Sequence, residues 1–250
     1  MPPPLSVAII TRNAAAQLAG CLVSAAFADE IVVVDSGSSD ETVELAARLG
    51  ARVIQKEWLG YGAQKQFAVD AASHDWVLCV DADERVSPEL RESILAELKA
   101  PRGFVYTMPR RNRFLGRWLT HGEGYPDWST RLFHRAHARW GSEPVHEKVI
   151  SDKPMLRLSG DLLHESAETL EKYLDKQNRY TTLQAQSLHA AGRRASTLQL
   201  VLSPLLRFIK YYVLRLGFLD GVPGLVHIAI GCVNSFNKYA KLREIERAAK

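Results

Sequence analysis

The first 110 residues predict an α/β fold built on a mostly parallel, doubly wound sheet. Three observations carry this reading. Short apolar runs rich in β-branched residues alternate with segments of helical periodicity. Turn residues separate each run from the next. Two runs end in acids, Asp35 and the pair Asp81 and Asp83, and the carboxyl ends of strands are where an open α/β sheet binds its ligand.

Leu5 to Ile10 is an apolar strand, and Thr11-Arg12-Asn13 leads from it into a helix over about 14–26, with Leu18, Leu22 and Ala25 on one face. Ile31 to Val34 is the second strand. Ser36 to Ser39 is a turn, and Ser38 with Glu41 has capping-box spacing, which starts a helix near Ser39 that runs to Leu49 and stops at Gly50. Ala51 to Gln55 is a third strand, 60–62 a glycine loop and Gln64 to Ala72 a short helix. Trp76 to Val80 is the central strand. Ser87 caps the helix that follows, Pro88 opens it, and it reaches about Lys99 before a strand from Phe104 to Met108.

The central strand ends in the sequence VDADE at 80–84. Side chains one residue apart on an extended chain point the same way, so Asp81 and Asp83 are expected to converge. Two carboxylates at one point need a positive partner, and a hard divalent cation such as Mg²⁺ carrying a diphosphate fits that need. The ordinary alternative for such a pair is a solvated turn.

From residue 110 to 165 the character changes. Arginine, histidine and aromatic residues interleave, which suits short strands and loops laid over the sheet and a polyhydroxylated ligand. Glu168 to His189 is a polar helix. Ser196 to Phe218 carries one apolar stripe interrupted by Arg207, Lys210 and Arg215, and 221–237 has no charged residue but is short for a bilayer crossing. An in-plane helix pair at a membrane surface is the expectation, with a helix packed in its own domain or in a dimer as the alternative. The expected divisions are 1–110, 111–167 and 168–250.

The net charge is +4, yet from Arg193 onward 10 basic residues face 3 acidic ones, leaving 22 against 25 for the rest. The basic excess therefore belongs to 193–250, which argues for an anionic membrane surface and against nucleic acid. Cys21, Cys79 and Cys232 are scattered in apolar runs, as reduced core cysteines of a cytoplasmic protein would be. The first 13 residues lack the pattern of a signal peptide. There is no G-x-G-x-x-G after the first strand and no Walker A loop, which argues against NAD and P-loop readings. Arg85 stands where a haloacid-dehalogenase-type phosphatase would have Thr or Val.

The segments LSVAIITRN at 5–13, VVVDSGSSDET at 32–42 and VDADE at 80–84 resemble glycosyltransferase family 2, the inverting GT-A type. RLF at 131–133, VHE at 145–147, Leu163-His164, GFLDG at 217–221 and KYAK at 238–241 resemble its lipopolysaccharide core β-1,4-glucosyltransferase subgroup. The resemblance implies a GT-A, Rossmann-like sheet with a mixed β acceptor region and C-terminal amphipathic helices. It implies a UDP-hexose donor, glucose first, and a lipopolysaccharide-core or other lipid-linked glycan acceptor, reached from the inner face of the cytoplasmic membrane.

Residue by residue, the resemblance places Thr11 and Asp35 at the base and ribose and Lys65 near the nucleotide. It places Asp81 at the ribose or the metal and Asp83 on Mg²⁺ or Mn²⁺. His164 is a third metal ligand in this reading, and Arg131 neutralises the diphosphate. Glu147 is the expected base that takes the acceptor proton, with Asp127 and Glu143 as rivals. Many family members read Asp-Asp-Gly-Ser where this chain has Asp35-Ser36-Gly37-Ser38, which bears on base selectivity. The alternative function is a non-catalytic, membrane-tethered binder of sugar nucleotides or glycans, which would bind donor and form no product.

Overall fold

The computed structural model describes residues 2–141, 147–165 and 169–248. The strands and helices, in chain order, are β1 (Leu5–Thr11), α1 (Ala15–Ala25), β2 (Glu30–Asp35), α2 (Thr42–Arg48), β3 (Arg52–Gln55), α3 (Tyr61–Ala71), β4 (Trp76–Asp81), β5 (Glu84–Val86), α4 (Pro88–Lys99), β6 (Val105–Phe114), β7 (Arg117–Trp118), β8 (Asp127–His134), β9 (Ala138–Trp140), β10 (Val149–Ser151), β11 (Met155–Arg157), β12 (Leu162–His164), α5 (Leu170–Ala190), α6 (Thr197–Phe208) and α7 (Gly221–Ala248). Two compact units emerge: 1–110 with 127–165, and 111–126 with 166–250.

The first unit is the α/β sheet. Strands β3, β2, β1 and β4 lie side by side and parallel, with Thr11 opposite Asp35 and Ile10 opposite Asp81. Alternate side chains go to opposite faces. Val7 and Ile9 pack with Leu18, Cys21 and Leu22 of α1 and with Leu90, Ile94 and Leu98 of α4. Ala8, Val32, Val34 and Val77 pack with Ala68 and Val69 of α3 on the other face. Burial on both faces explains why these strands read as unbroken apolar runs.

Several expectations shift. The helix expected from Ser39 begins at Thr42 and has no side-chain cap, because the Ser38 hydroxyl is spent on the Asp35 carboxylate. Helix α3 starts earlier, at Tyr61, after Gly60 turns the chain at φ 95. Ser87 and Pro88 start α4 as expected, the hydroxyl accepting from Leu90 N–H at 3.2 Å. The segment after 110 is not simply laid over the sheet. Strand β8 enters it, antiparallel, between β4 and β6. Its inner residues Arg131, Leu132 and Phe133 are all buried.

At the opposite end of β2, Glu30 accepts from the Ser6 hydroxyl at 2.6 Å, from Ser73 N–H and Oγ at 2.7 Å each and from Arg52 at 2.7 Å. Burial opposes ionisation of this carboxyl, but these donors outweigh it and bring its pKa down to about 2. A depressed carboxylate stabilises the fold in full above the free-carboxyl pKa and loses that stabilisation as pH falls toward the folded value. Glu30→Gln is therefore expected to melt lower than the parent near neutral pH. The gap should narrow as melts are taken from about pH 5 down to about pH 2. A gap of constant size would contradict this assignment.

The second unit is helical. Helix α5 packs on α7, and α6 packs on α7. Ser196 and Gln199 form a reciprocal capping box at the start of α6, which continues as a π-helical turn, Ile209–Leu214, and a 3₁₀ turn, Gly217–Asp220. The stretch Gly217–Ala248 is long and apolar enough to cross a membrane by length and hydropathy. Asp220 is nonetheless buried, accepting from Thr120 and His121 N–H groups at 3.0 and 2.8 Å. Midway along α7, a side chain at Gly231 would collide with the carboxylate of Glu123 and lie 2.9 Å from Nε of Arg207. The glycine makes room for that ion pair, whose arginine also donates to Ser235 at 3.0 Å.

Candidate active site

The functional side chains collect at the carboxyl ends of β1, β2 and β4 in the first unit. The loops after β1 and β2 are latched together. Asn13, at φ 51, donates its N–H to Ser38 Oγ at 2.8 Å and accepts from Ser39 N–H at 2.8 Å. The Asp35 carboxylate accepts from Gly37 and Ser38 N–H at 2.9 Å each and from the Ser38 hydroxyl. Asp35 is only 1% exposed, so its first task is to hold this turn. Beside it, the buried Thr11 hydroxyl has no hydrogen-bond partner among the described residues. An orphaned buried hydroxyl beside a strand end is a place for a ligand atom.

Asp81 lies in a chain of alternating charges. Asp127 pairs with Arg110 at 2.7 Å, and Arg110 reaches Glu84 at 3.5 Å. Arg131 lies between Glu84 and Asp81 at 2.8 Å from each, and Lys65 lies between Asp81 at 2.9 Å and Glu147 at 3.0 Å. Glu84 is fully buried and also accepts the Asp81 N–H at 2.9 Å. Lys65 and Arg131 both face the ring of Trp140, at 4.8 and 5.8 Å from its centroid. Burial opposes ionisation of Asp81, but Arg131 and then Lys65 hold its carboxyl well below the usual range. Burial likewise works against the charge on Arg131, and Asp81 and Glu84 more than restore it. Gly62 lets this happen. A Cβ there would collide with the Gly141 carbonyl and sit 3.5 Å from Cβ of Glu147, so the glycine brings α3, and Lys65 on it, close to Glu147.

The expected convergence of Asp81 and Asp83 is met in part: the charge of Asp81 still acts on the Asp83 carboxyl, but the two are held by different partners. The rule that places them together holds for an extended chain, and residues 82 and 83 form a turn between β4 and β5. Asp81 faces Lys65 and Arg131. Asp83 instead meets Nε2 of His164 at 3.2 Å, a contact set by the antiparallel pairing of β12 with β5. Burial opposes ionisation of Asp83 too, and the hydrogen bond and charge of His164 hold its carboxyl below its ordinary value. Arg131, expected on the diphosphate, has its guanidinium between two carboxylates and is only 5% exposed. Of the base rivals, Glu147 joins the site through Lys65, Asp127 is paired with Arg110, and Glu143 lies outside the described residues.

No group of three or more His, Cys, Asp or Glu side chains among the described residues is set to hold a metal ion. Asp83 and His164 together offer one carboxylate and one imidazole, each partly open to solvent. That donor set fits a divalent cation that takes its remaining ligands from phosphate oxygens and water. Glu84 and Arg110 were not singled out from the sequence. A usable signal was present: an arginine inside the apolar run of β8 needs a buried acid, and the third acid of VDADE supplies it.

Residues 6–158 match the family model described as glycosyl transferase family 2. An uncharacterized glycosyltransferase of Rickettsia prowazekii is 32% identical over 96% of this chain and 87% of its own length. The lipopolysaccharide core biosynthesis glycosyltransferase LpsC of Rhizobium meliloti is 32% identical over 96% of this chain and 92% of its own. Among solved structures, residues 1–349 of S. aureus TarS in complex with UDP-GlcNAc superpose with a TM-score of 0.51 at 14% identity, over 99% of this chain and 92% of that one, a likeness of fold. The parallel strands, the acids at their ends and these likenesses agree: the chain is a GT-A-type α/β protein that belongs to glycosyl transferase family 2, and it is a glycosyltransferase.

Proposed function

We propose that this glycosyltransferase moves a hexose, glucose first, from a UDP-sugar to a lipopolysaccharide-core or other lipid-linked glycan, with inversion at the anomeric carbon. The observation that carries the reading is the gathering of Thr11, Asp35, Lys65, Asp81, Asp83, His164 and Glu147 in one unit, around the ends of parallel strands. The motif resemblance supports the donor class, and the likeness to LpsC supports the acceptor class. Thr11 offers its free hydroxyl to the nucleoside, over the floor that Asp35 holds rigid. Asp83 and His164 would hold Mg²⁺ or Mn²⁺. Such a cation, when bound, stabilises the departing nucleoside diphosphate as a Lewis acid.

Glu147 takes the proton from the acceptor hydroxyl, positioned by Lys65, which also fixes Asp81. Arg131 and Glu84 keep Asp81 ionised and still rather than touching the donor. Glu147→Gln keeps the size and polarity of the side chain and is expected to lower kcat by about 10²- to 10⁴-fold with KM for the donor little changed. Asp127→Asn, by contrast, should change kcat by less than about tenfold, because Asp127 serves Arg110 at the far end of the charge chain. Equal losses in the two variants would remove Glu147 from the role of base. The whole assignment is tested by a panel of nucleotide sugars scored for Mn²⁺-dependent release of the nucleoside diphosphate. No release from any donor, with binding retained, would favour the non-catalytic binder. Residues 193–250 then bring the enzyme to the inner face of the cytoplasmic membrane, where a lipid-linked acceptor lies.

A further inference from the structure

Of the three non-glycine residues with positive φ among those described, two are leucines: Leu115 at φ 46 and Leu216 at φ 56. Left-handed backbone is uncommon for a side chain like leucine, and such strain collects at sites of function. Both residues are also exposed, at 50% and 44%. Leu115 sits with Gly116, at φ 79, on the tip of the two-residue turn between β6 and β7. Leu216 sits between the π-helical and 3₁₀ turns after α6. The two turns are tied together in the second unit, where Arg117 donates to the Leu219 carbonyl at 3.0 Å and lies 3.8 Å from Asp220.

Around them the surface is apolar. Leu214 and Val222 are 72% and 71% exposed, and Phe218 and Leu219 are exposed as well. This corner is bordered by cations. Arg113 and Arg117 are exposed on the hairpin, Arg113 lies 5.9 Å from the ring of Trp118, and Lys210 is exposed on the helix leading in. Asp220, the acid that Arg117 approaches, is buried and engaged by Thr120 and His121 as well. An apolar tip rimmed by Arg, Lys and Trp matches the boundary of an anionic bilayer: hydrocarbon for the leucines, headgroup phosphates for the cations.

We propose that this corner, formed by the 113–118 hairpin and the 214–222 turns, is a wedge that inserts into one leaflet of an anionic membrane. The inference rests on the membrane-linked acceptor reading above and deepens it. It moves the anchoring point from the basic tail as a whole to two strained leucines, one of them far outside that tail. The strain is the cost of presenting leucine at the tips of tight turns, where asparagine or glycine fits the backbone better.

The test uses that strain. Leu115→Asn and Leu216→Asn, combined in the full chain, suit a left-handed backbone and remove the apolar tips. The double variant is expected to melt at the parent temperature or above. Its partitioning onto vesicles of phosphatidylethanolamine with phosphatidylglycerol should fall about tenfold or more, as the loss of two inserted leucines requires. Nucleoside diphosphate release from donor in the absence of membranes should be unchanged. Equal vesicle binding by parent and variant would overturn the wedge while leaving membrane association standing. If the parent binds no vesicles, both the wedge and membrane association fall, and donor turnover still reports on the enzyme. A parent that is dimeric in solution, ignores vesicles and becomes monomeric in the variant would overturn the proposal in favour of a second copy on this corner.

Discussion

Asp83→Ala is expected to abolish sugar transfer, and with it metal-dependent hydrolysis of the donor, while the protein stays folded. The reasoning starts from position. Asp83 lies on the turn between β4 and β5, its carboxylate partly exposed, and the partner it loses is His164 at 3.2 Å. A turn residue of this kind contributes little packing, so the melting temperature should hardly move. The chemical loss is much larger. Stabilising a departing diphosphate through a bound cation contributes several kcal/mol, so turnover should fall by at least about 10³-fold. Release of nucleoside diphosphate from the donor, followed with and without Mn²⁺ for parent and variant, makes the comparison. His164→Ala should follow Asp83→Ala in direction. Turnover that survives in Asp83→Ala would leave the corner between β5 and β12 without a part in the chemistry.

The largest effect on stability is expected from Arg131→Met. Arg131 is 5% exposed and sits 2.8 Å from each of Asp81 and Glu84, the second of which has no exposed surface. Removing Arg131 leaves the buried Glu84 with only Arg110 at 3.5 Å and Asp81 with Lys65 at 2.9 Å, and breaking one partner out of a buried ion pair costs about 3 kcal/mol or more. In a protein of this size that corresponds to a fall in melting temperature of about 6 to 12 °C. Adding Glu84→Gln to Arg131→Met should recover part of the loss, because the buried charge that has lost its nearer partner is then gone. A thermal double-mutant cycle reads this directly. If Arg131→Met melts with the parent, or if the second substitution makes matters worse by its full single-variant amount, the charge chain is not what holds this site.

The sequence and the structure agree where apolar periodicity governs the outcome. Strands β1, β2 and β4 are buried on both faces, and their unbroken runs announce them. Ser87-Pro88 announces the start of α4 just as clearly. The readings that moved are those that depended on what one polar group does with its hydrogen bonds. Ser38 had the spacing of a helix cap, but Asp35 three residues earlier takes its hydroxyl. The pairing of Asp81 with Asp83 rests on extended-chain spacing applied past the end of the strand, and residues 82 and 83 turn instead.

Contacts between distant positions were the least legible. Glu84 and Arg131 are 47 residues apart and meet because β8 enters the sheet beside β4. Nothing in the local pattern of Asp127–His134 shows which strands it joins. Helix α7 also runs past Asn237 to Ala248, since the charged residues that follow continue the helix rather than end it.

The latch between the β1 and β2 loops has one more consequence. Asn13, Asp35, Ser38 and Ser39 hold each other by bonds that need no ligand, so a nucleoside bound as proposed would meet a finished platform. Little ordering is left for binding to do, and less of the contact energy is lost to it. A platform fixed in this way also joins support to preference. Ser36 belongs to the support: its backbone N–H is held by the Thr11 carbonyl at 2.9 Å and its buried hydroxyl accepts from Gln64 Nε2 at 3.0 Å, so an exchange here would disturb the link to α3 as well as the base.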